Sequence, residues 1–221
     1  CTGSHRRILL PELADGLRGS LCLDQASELL MGTNTAYWQS RMPLLGLMDA
    51  RANENPTATL VTCFDGSLSR CATVAYRNAL SRCLASDWNV RNGDRVILVE
   101  SSSKYFVVAL SAIAAAGAIA IPIGSTWEKS SLEHIESSTT PKLVITFQDS
   151  PGVALSEKHF LLDEESANSA VLKFGAVPLP ALAVETAASP LFLLFTTGTT
   201  GQPKGVVISH QAHLAAVESI S

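Results

Sequence analysis

From Asn92 onward the chain alternates between apolar runs of strand length and longer segments of helical period. Arg95 to Glu100 (RVILVE) is a near-continuous apolar run entered by the turn Asn92-Gly93-Asp94, the pattern of a strand buried on both faces. Ser101-Ser102-Ser103 offers hydroxyl caps to an alanine-rich helix running to Ala116, Gly117 is placed to end it, and Ala118 to Ile123 reads as the next strand. Strand, capped helix and strand in about thirty residues form a βαβ unit, which requires parallel strands and a right-handed crossover. The unit repeats as a helix over Glu128 to Glu136, a stop at Pro141, and a strand over Lys142 to Thr146. His159 to Leu162 is a further short strand, ended by the acidic run Asp163-Glu164-Glu165. Ser166 to Ser189 is rich in Ala, Pro and Ser with weak periodicity and is expected to be mostly loop. Leu191 to Thr197 and Val206 to Ser209 are strands on either side of a glycine-rich loop, and Gln211 to Ile220 starts a helix.

Upstream the pattern is looser. A helix is expected over Met42 to Ala52, and a strand over Thr57 to Phe64, turned by Asp65-Gly66. Val74 to Ala85 has helical period, with Tyr76, Leu80, Cys83 and Leu84 on one side and Arg77 and Arg82 elsewhere. The expected fold class is α/β: a doubly wound, mainly parallel sheet with helices on both faces, over residues 45–221, preceded by a poorly defined extension over 1–44.

Composition narrows the classes. The 221 residues are 47% hydrophobic and 16% charged, which excludes wholesale disorder. Sixteen basic against 20 acidic residues give a net charge of −4, which argues against a nucleic-acid partner. The five cysteines include no Cys-x-x-Cys pair, and the five histidines are scattered, so reduced thiols, no metal cluster and a cytoplasmic protein are expected. Phe106 to Gly124 lacks charge and is long enough to cross a bilayer. Gly117 and the β-branched stretch after it read better as helix, cap and strand, so no membrane span is expected.

The chemistry sits in Thr196-Thr197-Gly198-Thr199-Thr200-Gly201-Gln202-Pro203-Lys204-Gly205. Gly198, Gly201 and Gly205 permit positive φ and a close backbone approach to a bulky anion. Successive backbone N–H groups in such a turn form an anion-binding nest. The threonine hydroxyls add rotatable donors, Lys204 a positive charge, and Pro203 a stiffened exit. The loop is not a Walker A motif: Pro203 precedes the lysine and Gly205 follows it. Nor is it the Rossmann fingerprint, since Thr199-Thr200 alone separate Gly198 from Gly201. The bland alternative is a flexible hairpin with a solvated lysine.

Leu193 to Lys204 followed by Gly205-Val206-Val207-Ile208-Ser209-His210 resembles the signature loop of the adenylate-forming (AMP-binding) superfamily, which holds acyl- and aryl-CoA synthetases, peptide-synthetase adenylation domains and beetle luciferases. Supporting likeness lies upstream: Tyr76 and its helix (with Ala79 at the usual leucine position), Gly93-Asp94-Arg95-Val96, Ala112 to Pro122, and Pro141 to Thr146, all in family order.

The resemblance implies activation of a carboxylic acid with ATP and Mg2+ as an acyl-adenylate, release of pyrophosphate, and usually transfer to CoA or another thiol, as in an acyl-CoA synthetase. It implies that Thr196, Thr197, Thr199 and Thr200 donate to phosphate oxygens, that Gly198 and Gly201 allow the approach, and that Lys204 attracts the phosphates. It sets His210 near the acid pocket. Trp127, Tyr105 and Phe106 are expected in the core. The family's adenine-binding segment, magnesium-binding acid, ribose-binding aspartate, hinge and lysine-bearing C-terminal domain are not among these residues. The stretch therefore resembles the first part of the large N-terminal domain. The alternative is a non-catalytic α/β module that binds nucleotide or a partner. By itself the chain is expected not to form acyl-adenylates at a useful rate; robust carboxylate-dependent pyrophosphate exchange by the purified chain would refute that.

Overall fold

The computed structural model describes residues 43–124, 126–148, 158–175, 187–196 and 202–219. Helix α1 (Pro43–Glu54) opens with proline at its first position, where the missing N–H costs nothing. It leads into a hairpin of β1 (Thr59–Cys63) and β2 (Gly66–Ser69), which pair antiparallel in a sheet of their own. The second strand was not expected; only four residues long, it lacks a run of β-formers. Helix α2 (Arg70–Ser86) follows at once, with Ser69 as its N-cap accepting from the Ala72 amide (3.1 Å).

The main sheet then assembles from β3 (Arg95–Val99), β4 (Ile119–Ile123), β5 (Leu143–Thr146), β6 (His159–Leu161), β7 (Pro190–Thr196) and β8 (Lys204–Ser209). Its order is β6-β5-β3-β4-β7-β8, parallel throughout except that β8 runs antiparallel to β7. Helix α3 (Tyr105–Ala115) joins β3 to β4, α4 (Lys129–Thr139) joins β4 to β5, α5 (Glu164–Phe174) follows β6, and α6 (His210–Glu218) follows β8. The expected α/β fold is therefore what the chain adopts.

Alternation within the strands sorts the core into two layers. Val96 and Leu98 point to one side, where they pack with residues of α2, α3 and α5. Ile97 and Val99 point to the other, with Ile121, Ile123, Val144 and the Leu132 and Ile135 side chains of α4. Helices thus cover both faces. The apolar run 106–124 divides as the sequence suggested: α3, then Gly117 at φ +73°, then β4. Among the described residues no helix is long and apolar enough to cross a membrane.

Two expectations are corrected. Residues 166–174 belong to helix α5, not to a loop; Asp163 does not merely end β6 but caps that helix, accepting from the Ser166 amide while the Ser166 hydroxyl accepts from its own N–H, both at 2.8 Å. The rest of the expected loop, 176–186, lies outside the described residues. Second, Arg77 and Arg82 are not on an outer face of α2: they are 0% and 6% exposed. α2 is enclosed by α1, α3 and α5, so its arginines find partners inside. Arg82 donates to the Phe174 carbonyl at the end of α5 (2.8 Å), and Lys173 bridges to Asp87 (2.7 Å).

Arg77 is tied to Asp49 of α1 (2.6 Å), which is 1% exposed, and its Nε and Nη2 also donate to Asn78 Oδ1. Burial pushes the Asp49 carboxyl up and the Arg77 guanidinium down, and their mutual attraction opposes both shifts. Asp49→Ala would strand the guanidinium, and we expect it to lower unfolding free energy by about 3–5 kcal/mol. The double change Asp49→Leu with Arg77→Met should recover most of that loss. Urea unfolding of the two variants beside the unsubstituted chain checks both outcomes; a silent Asp49→Ala would show the pair carries no weight.

Candidate functional site

Because β3, β4, β5 and β7 are parallel, their carboxyl ends share one edge of the sheet. The chain leaves β3 for α3 on one face and leaves β4 for α4 on the other. Adjacent strands that send their connections to opposite faces open a crevice at their carboxyl ends, where α/β sheets bind ligands. β7 ends one strand away.

Thr196 is the last residue of β7 and Lys204 the first of β8, and the two are direct cross-strand partners. The antiparallel pair therefore brings both ends of the glycine-threonine loop together at the carboxyl edge. Both side chains are exposed, and among the described residues no carboxylate pairs with Lys204. Pro203 is buried just before it, which fits the stiffened exit. Thr197, Gly198, Thr199, Thr200 and Gly201 lie outside the described residues.

Gly205 departs from expectation. It sits inside β8 opposite Phe195, and the described glycines with positive φ are Gly66, Gly93 and Gly117. Its glycine is explained by packing: a Cβ there would lie 3.0 Å from Leu193 Cδ1 and 3.3 Å from the Phe195 ring. The Leu193 and Phe195 side chains of β7 thus lie close across the glycine.

His210 is not brought to that mouth. β8 runs away from the carboxyl edge, so six residues of strand put His210 about 20 Å from Lys204. It is 2% exposed, its N–H donates to the Ser189 carbonyl (3.1 Å), and among the described residues its Nδ1 has no partner. Burial, and secondarily His213, hold its pKa below the ordinary value of 6.5. Tyr105 is buried and Phe106 half-buried in the core, as expected. Trp127 is likewise half-buried and packs on the α4-side cluster, and there it also lies against Gly124 at the carboxyl edge. The glycine three positions before the tryptophan was the signal available in the sequence. Among the described residues no group of three His, Cys, Asp or Glu is placed to hold a metal ion.

A family model described as "AMP-binding enzyme" matches residues 48–221. The chain belongs to this family. Among curated relatives, the AMP-binding segment is 30% identical over 190 residues to the HC-toxin synthetase of Cochliobolus carbonum, covering 81% of this chain and 4% of that protein. It is 30% identical over 186 residues to the nonribosomal peptide synthetase vlms of Lecanicillium sp, covering 79% of this chain and 2% of that protein. The chain thus spans a few per cent of the length of these relatives. Among solved structures, VinN in complex with 3-methylaspartate superposes with a TM-score of 0.69 at 18% identity, over 80% of this chain and 50% of that one. The fatty acyl-adenylate ligase from L. pneumophila, in complex with acyl adenylate and pyrophosphate, gives 0.65 at 22% identity, over 84% and 33%. At these identities the superpositions speak for the fold.

Two outcomes are expected. Gly205→Val, which forces a branched side chain against Leu193 and Phe195, should lower stability by roughly 1–3 kcal/mol in chemical unfolding, whereas an unchanged midpoint would remove the packing explanation. Since His210 is neutral and resists protonation when folded, its contribution is intact above its unfolded pKa of about 6.5 and is lost as pH falls below it. His210→Leu should flatten the fall in stability between pH 7.5 and 5.5, read as unfolding midpoints at both values; a slope like that of the unsubstituted chain would clear His210 of the effect.

Proposed function

We propose that this chain is the polyphosphate-holding part of an adenylate-forming ligase that activates a carboxylic acid with ATP. The observation that carries the reading is the direct pairing of Thr196 with Lys204, which closes the glycine-threonine loop at the carboxyl edge of a sheet whose chain belongs to the AMP-binding family. Thr196, Thr197, Thr199 and Thr200 would donate hydroxyl hydrogen bonds to phosphate oxygens. Gly198 and Gly201 would let the backbone amides approach, and Lys204 would neutralise charge on the departing pyrophosphate. An exposed ammonium with no carboxylate partner among the described residues fits such a group. When bound, ATP supplies the phosphorus that the substrate carboxylate attacks. Magnesium would enter with the nucleotide.

The acid and the final acceptor follow from likeness alone. Transfer to a thiol, on CoA or on a carrier, is the ordinary sequel in the family, and likeness to a relative named as a nonribosomal peptide synthetase favours a carrier-bound thiol over CoA. A cytoplasmic setting accords with five cysteines that include no Cys-x-x-Cys pair.

Lys204→Ala is expected to weaken binding of Mg-ATP roughly tenfold or more, the range for removing a charge-assisted bond, and to leave the unfolding midpoint in place. Titration calorimetry on the two chains measures it. Equal affinities would take Lys204 out of the site.

A further inference from the structure

The carboxyl edge carries a second close fit beside the hairpin. Gly124 directly follows β4, which pairs in parallel with β7 at Ala120↔Phe192, so it leaves the sheet on the same edge as Thr196 at the end of β7. The register Val99↔Ile123, carried one forward, sets Glu100 beside Gly124. A Cβ on Gly124 would lie 2.8 Å from Cδ1 and 2.9 Å from Nε1 of Trp127, and 3.5 Å from Oε2 of Glu100. The space of the missing side chain is already taken by the pyrrole edge of the indole. Gly124 is not among the glycines of positive φ, so its backbone conformation does not demand glycine. The close approach of the ring does.

Trp127 packs on the cluster of Ile97, Val99, Ile121, Ile123, Leu132, Ile135 and Val144, and Leu193 and Phe195 pack on the same cluster. These two are the β7 side chains that lie across Gly205, immediately before the Thr196–Lys204 pair. The glycine just after β4 is thus filled by the Trp127 ring, the glycine in β8 is crowded by Leu193 and Phe195, and all three side chains rest on one apolar floor. A donor set for an anion works only when held within about half an ångström of its place, and strand ends are where such order is weakest.

We propose that Trp127 is a positioning residue for the hairpin mouth. Seated in the side-chain space of Gly124, its indole ties the end of β4 to the floor that supports Leu193 and Phe195, and so fixes Thr196 and Lys204 as a pair facing a polyphosphate. The proposal rests on the polyphosphate reading of that pair.

The test is amide-resolved NMR on the 221-residue chain, titrated with inorganic tripolyphosphate. It follows the amides of Thr196, Lys204 and Gly205 and the indole N–H of Trp127. Trp127→Ala and Gly124→Ala are each expected to weaken the apparent affinity roughly tenfold, as misplaced binding groups do. Together they should be no worse than Trp127→Ala alone, because the added methyl finds room once the indole is gone. Should Trp127→Ala fail to fold, the pair Gly124→Ala with Trp127→Phe decides. Phenylalanine lacks the pyrrole edge, so it should restore what Gly124→Ala loses. Undiminished affinity in Trp127→Ala, additive losses in the double variant, or no rescue by phenylalanine would each overturn the proposal. No shift at Lys204 in the unsubstituted chain would instead sink the polyphosphate reading itself.

Discussion

A parallel strand covered on both faces has no polar side to give to water, and β3, β4 and β5 are such strands: Val96 and Leu98 face α2, α3 and α5 while Ile97 and Val99 face α4. That constraint forces the connections to leave alternately on the two faces, and it aims every parallel strand at one edge. The loop of interest emerges there because β7 joins this sheet in the parallel sense. Its return as β8 is the only antiparallel pairing in the described main sheet, and it is what sets a hydroxyl residue opposite a lysine.

The helices are held to this frame by polar contacts at their ends more than along their sides. Arg82 receives the carboxyl end of α5, and Arg95 donates to the Thr139 and Thr140 carbonyls where α4 stops in a left-handed residue. Cations at helix carboxyl ends oppose the negative end of the dipole and occupy carbonyls that have no partner in the helix. Asp49 and Arg77 do something else: they lock α1 onto α2, and α1 in turn packs on α6 behind the hairpin.

Most of the sheet was legible because its strands are fully buried and read as unbroken runs (RVILV, IAIPI, LVIT). Gly117 and Asp163 show the two ways a boundary residue can be read. The glycine ends a helix as its chemistry suggests; the aspartate, which the sequence pattern sets at the end of a strand, begins a helix whose first turn carries Glu164 and Glu165. The buried arginines of α2 were not legible, because periodicity assigns charge to the outside unless a partner 28 residues away is known. The motif itself could be read, but Lys204 and Gly205, expected in the loop before a strand over Val206 to Ser209, are already paired within β8. The reason for Gly205 could not be read, since it depends on which side chain lies across the strand, a fact of pairing register and not of local sequence.

The beginning of α3 illustrates a cost of this arrangement. Lys104, at its N-cap, gives the helix no side-chain bond. Instead the Asp65 carboxylate, at the turn of the β1–β2 hairpin, accepts from the Lys104 amide (2.9 Å) and the Ser103 hydroxyl (2.7 Å), across 39 and 38 residues. A local cap forms as soon as its own turn does; this one waits until a long loop has closed and α2 has been laid down between. The first turn of α3 thus combines a local serine contact, the Ser103 hydroxyl accepting from the Tyr105 amide (3.2 Å), with a remote one, and the small hairpin, although outside the main sheet, is the latch that supplies the latter.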